Sequence, residues 1–223
     1  MEKIAVYTGI FGRYDPYVEP DFGDDVDLFL LTDFPLGRAP RRTKVITIPS
    51  FFQAQDTTRT ARLHKVMSHI GPVKDYRLVV WLDGSVDAID VDLRELVERY
   101  LSDSDVAVFR HQTIDCVYEG ARAAVACGKE DPAVMGKELK ILLGAGHPRA
   151  AGLGETGILL RRHSDVIRSF NELWWSKISA GSKRDQVYFN YCVGQAGVKL
   201  AYIDGKRQDY GFYVREHAGL KVY

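Results

Sequence analysis

The stretch Leu78-Val79-Val80-Trp81-Leu82-Asp83-Gly84-Ser85 decides the fold class of this 223-residue chain. An unbroken apolar run is typical of a strand buried on both faces of a sheet, and Asp-Gly ends it abruptly. The carboxylate, the glycine and the hydroxyl then stand at the rim of the sheet, where a divalent cation and a diphosphate can bind. An ordinary Asp-Gly turn explains these residues equally well when they are taken alone.

Similar short apolar runs predict further strands, and amphipathic spacing predicts helices between them. The strands are predicted at 4–7, 26–31, 44–48, 106–109 and 155–160. The helices are predicted near 58–70, 93–101, 114–127, 131–143, 163–179 and 184–196. This alternation predicts one α/β domain with a mostly parallel central sheet flanked by helices.

Composition limits the classes of partner. Thirty basic residues balance thirty acidic ones, so the chain has no general field that would attract nucleic acid or an anionic membrane. Cys116, Cys127 and Cys192 are odd in number and far apart, which indicates reduced, buried thiols. We find no signal peptide and no apolar stretch of about 20 residues, the length of a membrane span. We therefore expect a cytoplasmic protein, at most peripherally bound to a membrane.

Several enzyme classes lack their minimal motifs, since the sequence has no G-x-x-x-x-G-K-[ST], G-x-S-x-G or H-E-x-x-H. Polar residues do follow the predicted strands. Tyr7-Thr8-Gly9 ends the first strand, Thr32-Asp33 the second and Asp83 the fourth. Ligands of open α/β sheets bind outside the carboxyl ends of the strands, so we expect these groups to converge on one crevice.

Four further side chains have two interpretations each. Arg62 and Lys65 share a helical face and would clamp a phosphate, or they form a solvated basic face. Glu155 is an exposed turn residue or a carboxylate at an acceptor site. Asp185 lies three residues after Ser182, so it either completes a capping box or engages sugar hydroxyls from a helix start.

The carboxyl-terminal segment combines His217, Gly219 and Lys221. The imidazole is suited to a cation, the glycine allows close approach of the backbone, and the ammonium is suited to a phosphate. A frayed polar tail is an equal alternative for these residues.

Seven motifs in order resemble the glycosyltransferase-like domain of the plant TOD/MUCI mucilage proteins and its bacterial relatives. They are Tyr7-Thr8-Gly9-Ile10-Phe11-Gly12-Arg13-Tyr14-Asp15, Thr32-Asp33, Arg62 with Lys65, Trp81-Leu82-Asp83-Gly84-Ser85, His111 with Cys116-Val117-Tyr118-Glu119, Gly152-Leu153-Gly154-Glu155 and Arg184-Asp185-Gln186. The resemblance covers nearly the whole chain. More distantly, the chain is similar to retaining GT-A galactosyl- and glucosyltransferases of the glycogenin type.

The resemblance implies a single GT-A (Rossmann-like) domain over residues 1–223, with a nucleotide-binding half at 1–110 and an acceptor-binding half at 111–223. It implies a nucleotide-sugar donor, usually a UDP-sugar, a glycan acceptor, and Mn²⁺ or Mg²⁺ at the diphosphate. By position, the donor-binding residues would be Tyr7, Thr8, Gly9, Asp33, Arg62, Lys65, Ser85 and Lys221. The metal-binding residues would be Asp83, Asp87 and His217, and the residues at the transferred sugar would be Asp185, Gln186 and Glu155.

Two departures from the family pattern matter. The usual Asp-x-Asp is Asp83-Gly84-Ser85, with Asp87 as a substitute for the missing carboxylate. The motif containing His217 and Lys221 is shorter than in the distant relatives. The leading hypothesis is thus a metal-dependent glycosyltransferase, and the alternative is a non-catalytic nucleotide-sugar or glycan-binding module. A nucleotidyltransferase is a third reading, but no glycine-rich, lysine-bearing loop follows the first strand.

Overall fold

The computed structural model describes residues 2–48 and 56–215. This part of the chain contains nine strands and six α-helices. The strands are β1 (Ile4–Ile10), β2 (Val26–Thr32), β3 (Lys44–Thr47), β4 (Leu78–Leu82), β5 (Val86–Ala88), β6 (Val106–Arg110), β7 (Gly154–Arg162), β8 (Leu200–Ile203) and β9 (Phe212–Val214). The helices are α1 (Thr57–Val66), α2 (Leu93–Leu101), α3 (Val117–Ala126), α4 (Pro132–Gly144), α5 (Asp165–Ala180) and α6 (Gln186–Ala196). Two short 3₁₀ helices lie at Ser68–Ile70 and Arg207–Tyr210.

Seven strands form the central sheet in the order β3-β2-β1-β4-β7-β6-β8. Six of them run in one direction, because β7 alone pairs antiparallel with its neighbours β4 and β6. β5 and β9 form a separate two-stranded sheet. The predicted fold class, an α/β domain with a mostly parallel sheet flanked by helices, is therefore confirmed.

Side chains alternate between two apolar clusters, one on each face of the sheet. Tyr7 and Trp81 belong to the cluster that includes residues of α1, α3, α4, α5 and α6. Val6 and Val80 belong to the cluster that contains α2 and the small sheet. Because both faces of β1 and β4 are covered, these strands are almost entirely apolar until they reach their carboxyl ends. The polar residues that follow them lie at the carboxyl edge of the sheet.

Some features differ from the sequence predictions. The short strands β5, β8 and β9 were not predicted, and the antiparallel direction of β7 was not either. Cys116 and Cys192 are buried as expected, but the prediction is wrong for Cys127, which is exposed. Gly152, Gly154 and Gly157 have the spacing of a dinucleotide-binding motif, but they lead into β7 rather than a helix, so the structural context of that motif is missing.

None of the helices within 2–48 and 56–215 is both long enough and apolar enough to cross a membrane.

Candidate active site

Four charged side chains meet at the carboxyl edge of the sheet, and we call them the ion-pair quartet. Arg62 and Lys65 come from α1, Asp83 directly follows β4, and Asp185 directly precedes α6. The Lys65 ammonium lies 3.0 Å from Asp83 Oδ1 and 2.6 Å from Asp185 Oδ2. The Arg62 guanidinium lies 3.3 Å from Asp83 Oδ1 through Nη1, and 3.1 Å from Asp185 Oδ1 through Nε. Each cation therefore bridges both carboxylates.

The members of the quartet differ in how far their side chains are exposed to solvent. The Lys65 side chain is fully buried and that of Asp185 is 3% exposed, whereas that of Asp83 is 27% exposed. Burial alone would raise the pKa of Asp185, but the positive charges of Arg62 and Lys65 hold that pKa well below its ordinary value. Burial would likewise lower the pKa of Arg62, which Asp185 and Asp83 instead raise. Arg62 and Asp185 therefore each stabilise the charged form of the other.

α1 is fixed at both ends, which sets the positions of Arg62 and Lys65. At its start, the Asp56 side chain accepts a hydrogen bond from the Arg59 backbone N–H at 2.9 Å. At its end, the buried Arg161 guanidinium donates to the carbonyls of Lys65 and Val66 at 2.6 and 2.9 Å. A cation at these carbonyls also complements the negative end of the helix dipole.

Asp83 is held by its own strand. The Trp81 indole N–H donates to Asp83 Oδ1 at 2.6 Å, so this oxygen contacts Trp81, Lys65 and Arg62 together. Within the described part of the chain, Asp83 Oδ2 has no hydrogen bond. Gly84 is needed at the next position, because an added Cβ would lie 2.8 Å from Cγ1 of Ile10.

Asp185 is positioned by an irregularity in β7. Opposite Val108 and Phe109 of β6, the pairing shifts from Leu159 to Glu155, so β7 contains a bulge. Thr156, within that bulge, donates its hydroxyl to Asp185 Oδ2 at 2.8 Å.

The predicted capping box at Ser182 and Asp185 is wrong. Asp185 is the N-cap residue of α6, yet its side chain makes no capping hydrogen bond. Its carboxylate is turned to the ion-pair quartet instead. The Ser182 hydroxyl accepts the backbone N–H of Arg184 and donates to Glu130.

The quartet borders a cleft of about 210 Å³. Charged side chains of both signs line this cleft, namely Arg62, Arg184, Arg207, Asp83, Glu155 and Asp185, and His111 and Gln186 lie beside them. Glu155 forms an ion pair with Arg207 at 2.6 Å. The Gln186 amide donates to the Gly154 carbonyl at 2.8 Å, which ties α6 to the start of β7.

A smaller recess of about 20 Å³ adjoins the cleft, and Asp83 and Val86 line both. Thr8, Tyr17 and Phe29 line the rest of the recess together with Gly84 and apolar neighbours. The Thr8 side-chain oxygen is buried, and within residues 2–48 and 56–215 it has no hydrogen-bond partner. A buried hydroxyl in this state indicates a place for a ligand or a water molecule.

The structure brings together many of the residues predicted for the site. Thr8 lines the recess, while Arg62, Asp83, Glu155, Asp185 and Gln186 line the cleft. Their roles toward a ligand stay predictions.

Other predicted residues are placed differently. Tyr7 lines the recess but is almost fully buried, and its hydroxyl donates to the Lys65 carbonyl at 2.9 Å, so it also supports α1. Lys65 is buried between two carboxylates and presents no open ammonium to a phosphate. The Asp33 carboxylate accepts the Gly12 backbone N–H at 2.9 Å and thereby fixes the turn after β1. Gly9 packs closely, since an added Cβ would lie 3.0 Å from Trp81.

Asp87, predicted to bind the metal, and Ser85, predicted to bind the donor, both contact Arg215. Asp87 forms an ion pair with Arg215 at 2.9 Å, and Ser85 is buried with its carbonyl accepting the Arg215 backbone N–H at 2.8 Å. His217 and Lys221 lie outside the described residues. Across residues 2–48 and 56–215, no group of three or more His, Cys, Asp or Glu side chains could hold a metal ion.

In the described part of the site, Asp83 Oδ2 is a carboxylate oxygen without a hydrogen bond, so it is open to a metal ion. Mg²⁺ is commonly held by one or two carboxylates, with substrate phosphates and waters as its other ligands. The side chains within 2–48 and 56–215 fit a cation held in that way, and they do not by themselves enclose one.

Sequence reasoning missed the residues that orient the site. Trp81, Thr156, Arg161 and Arg207 all contact site residues or the end of α1, and three of them come from distant positions in the chain. Trp81 stood in the deciding stretch, but its apolar neighbours indicated only a core residue. Nothing in the spacing of Thr156, Arg161 or Arg207 indicates which partner each would meet.

Comparison with known proteins agrees with this arrangement. Residues 43–203 match the family described as "TOD1/MUCI70, glycosyltransferase-like domain". The "Probable hexosyltransferase MUCI70" of Arabidopsis thaliana is 27% identical over 146 residues, which are 60% of this chain and 25% of that protein. The chain thus spans about a quarter of the length of this relative.

Two solved structures are similar in backbone. Mouse xyloside xylosyltransferase 1 in its apo form has a TM-score of 0.48 at 13% identity, covering 91% of this chain and 85% of that one. The mannosyltransferase Ktr4p of S. cerevisiae has a TM-score of 0.47 at 11% identity, covering 95% of this chain and 70% of that one.

The match over residues 43–203 includes the ion-pair quartet, the bulged strand β7 and all six helices. The family resemblance predicted from the sequence is confirmed. The chain belongs to the TOD1/MUCI70 family of glycosyltransferase-like domains.

Proposed function

We propose that this domain transfers a sugar, a hexose by the name of its Arabidopsis relative, from a nucleotide-sugar donor to a glycan or glycoconjugate acceptor. One observation carries the proposal: Asp83 of the ion-pair quartet stands at the carboxyl end of β4 and lines both a recess and a larger cleft. In open α/β sheets this edge is where ligands bind. A nucleoside and a sugar joined by a diphosphate would require two adjoining spaces with charged groups between them.

The nucleoside would bind at the recess, which would have to widen, because its volume of about 20 Å³ is that of a single water molecule. Tyr17 and Phe29 supply aromatic walls, and Thr8 supplies a buried hydroxyl without a partner among the described residues. We propose a uridine nucleotide, following the family resemblance. Asp33 would act indirectly, because its carboxylate is occupied by the turn at Gly12.

The diphosphate would then lie beside Asp83 and Gly84, where the recess and the cleft meet. The Arg62 guanidinium is the cation of the quartet that lines the cleft, so it would contact the phosphates. We propose that Mn²⁺ or Mg²⁺ binds to Asp83 Oδ2 together with the donor. When bound, such a cation neutralises negative charge that develops on the departing diphosphate.

Asp185 would position other groups rather than attack the sugar. Its Oδ2 contacts Lys65 and Thr156, and its Oδ1 contacts Arg62. A carboxylate engaged on both oxygens is a poor nucleophile, but it holds Arg62 and Lys65 rigidly. Gln186 and Glu155 border the cleft, and they would contact the transferred sugar or the acceptor.

A nucleotide panel tests the proposal. UDP with Mn²⁺ should raise the melting temperature more than either alone, because a ligand that binds only the native state stabilises it. ATP and NAD should raise it less. Equal shifts with all nucleotides, or no shift with UDP and metal, contradict the proposal.

Donor hydrolysis separates an enzyme from a binding module. With UDP-glucose and related UDP-sugars, a glycosyltransferase releases UDP slowly to water and faster with an acceptor. A protein that binds UDP and metal but never releases sugar would favour the alternative, a non-catalytic module. The location of the protein in the cell stays a prediction.

A further inference from the structure

The recess is too small for a nucleoside, so one of its walls must move. Its volume is about 20 Å³, whereas pockets that hold small-molecule ligands measure about 300–1,000 Å³. Strands β1, β2 and β4 form its inner wall, and each is fixed by pairing with a strand on both sides. Next to them, the Gly84 carbonyl accepts a hydrogen bond from Arg215 at 2.6 Å, and Val86 belongs to β5, which pairs with β9.

The outer wall of the recess is the segment 16–20 between β1 and β2, which we call the strap. Tyr17, Val18 and Pro20 of the strap line the recess. Within residues 2–48 and 56–215, no backbone–backbone hydrogen bond involves the strap. Val18 is half exposed to solvent. The strap is therefore the wall that the fold fixes least.

Glu19 is the main attachment of the strap. Its Oε1 accepts the backbone N–H groups of Arg42 and Thr43, both at 2.7 Å, and its Oε2 accepts that of Arg41 at 2.8 Å. The Thr43 hydroxyl donates to the same Oε1 at 2.8 Å and lies 2.6 Å from the Tyr17 hydroxyl. Burial alone would raise the pKa of Glu19, but the backbone N–H groups lower it to about 2, so the carboxylate is charged at neutral pH. The strap is thus held to the stretch directly before β3, the strand at the edge of the sheet.

We propose that the strap moves outward to admit the nucleoside, which then lies between the strap and strands β1 and β2, and that Glu19 keeps the strap closed until then. This inference rests on the proposed function and adds a conformational step to it. The apparent affinity for a ligand that binds only the open form is the affinity of that form multiplied by the fraction of molecules that are open. The hydrogen bonds of Glu19 therefore oppose nucleotide binding.

Hydrogen exchange of the wild-type protein tests whether these hydrogen bonds break. UDP with Mn²⁺ should speed exchange at the backbone N–H groups of Arg41, Arg42 and Thr43, because each loses the Glu19 carboxylate when the strap moves. A ligand that only stabilises the native state slows exchange instead. Faster exchange at these three residues is therefore specific to opening of the strap.

Glu19→Gln tests whether the carboxylate holds the strap closed. Glutamine keeps the size of the side chain but removes the charge that strengthens the hydrogen bonds. We expect this variant to bind UDP with Mn²⁺ about 10-fold or more tightly than wild type in calorimetric titration, the scale of one hydrogen bond to a charged group. Exchange at residues 41–43 should already be fast before UDP is added.

Asp21→Asn is the matched control, because it removes the same charge two residues away. The Asp21 side chain is 93% exposed and lies 3.7 Å from Arg42, so its contact should contribute little. This variant should bind UDP as wild type does. Thermal unfolding verifies that both variants are folded, and if Glu19→Gln is not, the exchange of the wild-type protein decides.

Two results would overturn the inference. One is UDP binding that leaves exchange at residues 41–43 unchanged or slower, and the other is a folded Glu19→Gln variant that binds UDP no more tightly than wild type. Binding by Glu19→Gln but not by wild type would support it. If neither protein binds UDP, the proposed function fails and this inference fails with it, which is a different result from UDP binding with the strap closed.

Discussion

Asp185→Asn tests whether the ion-pair quartet is built as described. The substitution keeps the size of the side chain but removes one of two negative charges that face Lys65 and Arg62. Lys65 is fully buried and Asp185 almost so, and removing one partner of a buried pair destabilises proteins by about 3–5 kcal/mol. For a chain of this size that corresponds to a fall in melting temperature of roughly 10 °C.

Asp56→Asn is the matched control, because Asp56 also precedes a helix and also pairs with an arginine. Asparagine still caps a helix, and the Asp56 side chain is 31% exposed, so the substitution should cost at most about 1 kcal/mol, the scale of an exposed ion pair. Urea and thermal unfolding of both variants give the comparison. If Asp185→Asn costs no more than Asp56→Asn, Asp185 is merely a helix-start residue and the quartet does not stabilise the site.

The double variant Asp185→Asn with Lys65→Met refines this test. Lys65→Met removes the buried cation that loses one of its two carboxylate partners in Asp185→Asn, so the double variant should be less destabilised than the sum of the single variants.

The pKa of Asp185 is lowered in the native state, so the stabilisation that its carboxylate provides is complete above the ordinary aspartate pKa of about 4 and is lost only as the pH falls further. The difference between wild type and Asp185→Asn should therefore be the same at pH 7 and at pH 5.5.

Three further predictions follow from single contacts. Asp83→Asn should lower donor hydrolysis by roughly 100-fold, as expected for loss of one preorganised electrostatic contact, and full activity in this variant would remove Asp83 from the site. Gly84→Ala should destabilise by about 1–3 kcal/mol in urea unfolding, because its Cβ would lie 2.8 Å from Ile10 Cγ1; an unchanged midpoint would contradict this. Burial alone would raise the pKa of Glu19, but backbone N–H groups of Arg42 and Arg41 lower it to about 2. Wild-type stability should thus fall by up to about 3 kcal/mol as the pH drops from 4.5 toward 2, and Glu19→Gln should flatten that part of the profile.

The order of the main elements could be predicted from the sequence because it depends on local patterns. β1, β2, β4 and β6 are continuous apolar runs, and α2 and α5 have strongly amphipathic spacing. Rules for the carboxyl edges of parallel sheets then placed Thr8 and Asp83 at one site. Both expectations needed only short-range information.

The partners of the site residues could not be predicted in this way. Lys65 and Asp83 are 18 residues apart, and Arg161 and Lys65 are 96 residues apart, so local sequence patterns do not indicate either contact. The antiparallel direction of β7 depends on how the chain returns to the sheet, which periodicity does not encode. Ser182 and Asp185 have the correct spacing for a capping box, but the Asp185 carboxylate forms ion pairs with Arg62 and Lys65 instead.

The most direct test of the account is a crystal structure of the protein with UDP and Mn²⁺. We predict uridine at the recess beside Thr8 and Tyr17, and the diphosphate beside Asp83, Gly84 and Arg62 at the carboxyl ends of β1 and β4. UDP bound elsewhere on the protein, or no bound UDP at millimolar concentration, would contradict the central claim that this edge of the sheet is a nucleotide-sugar site.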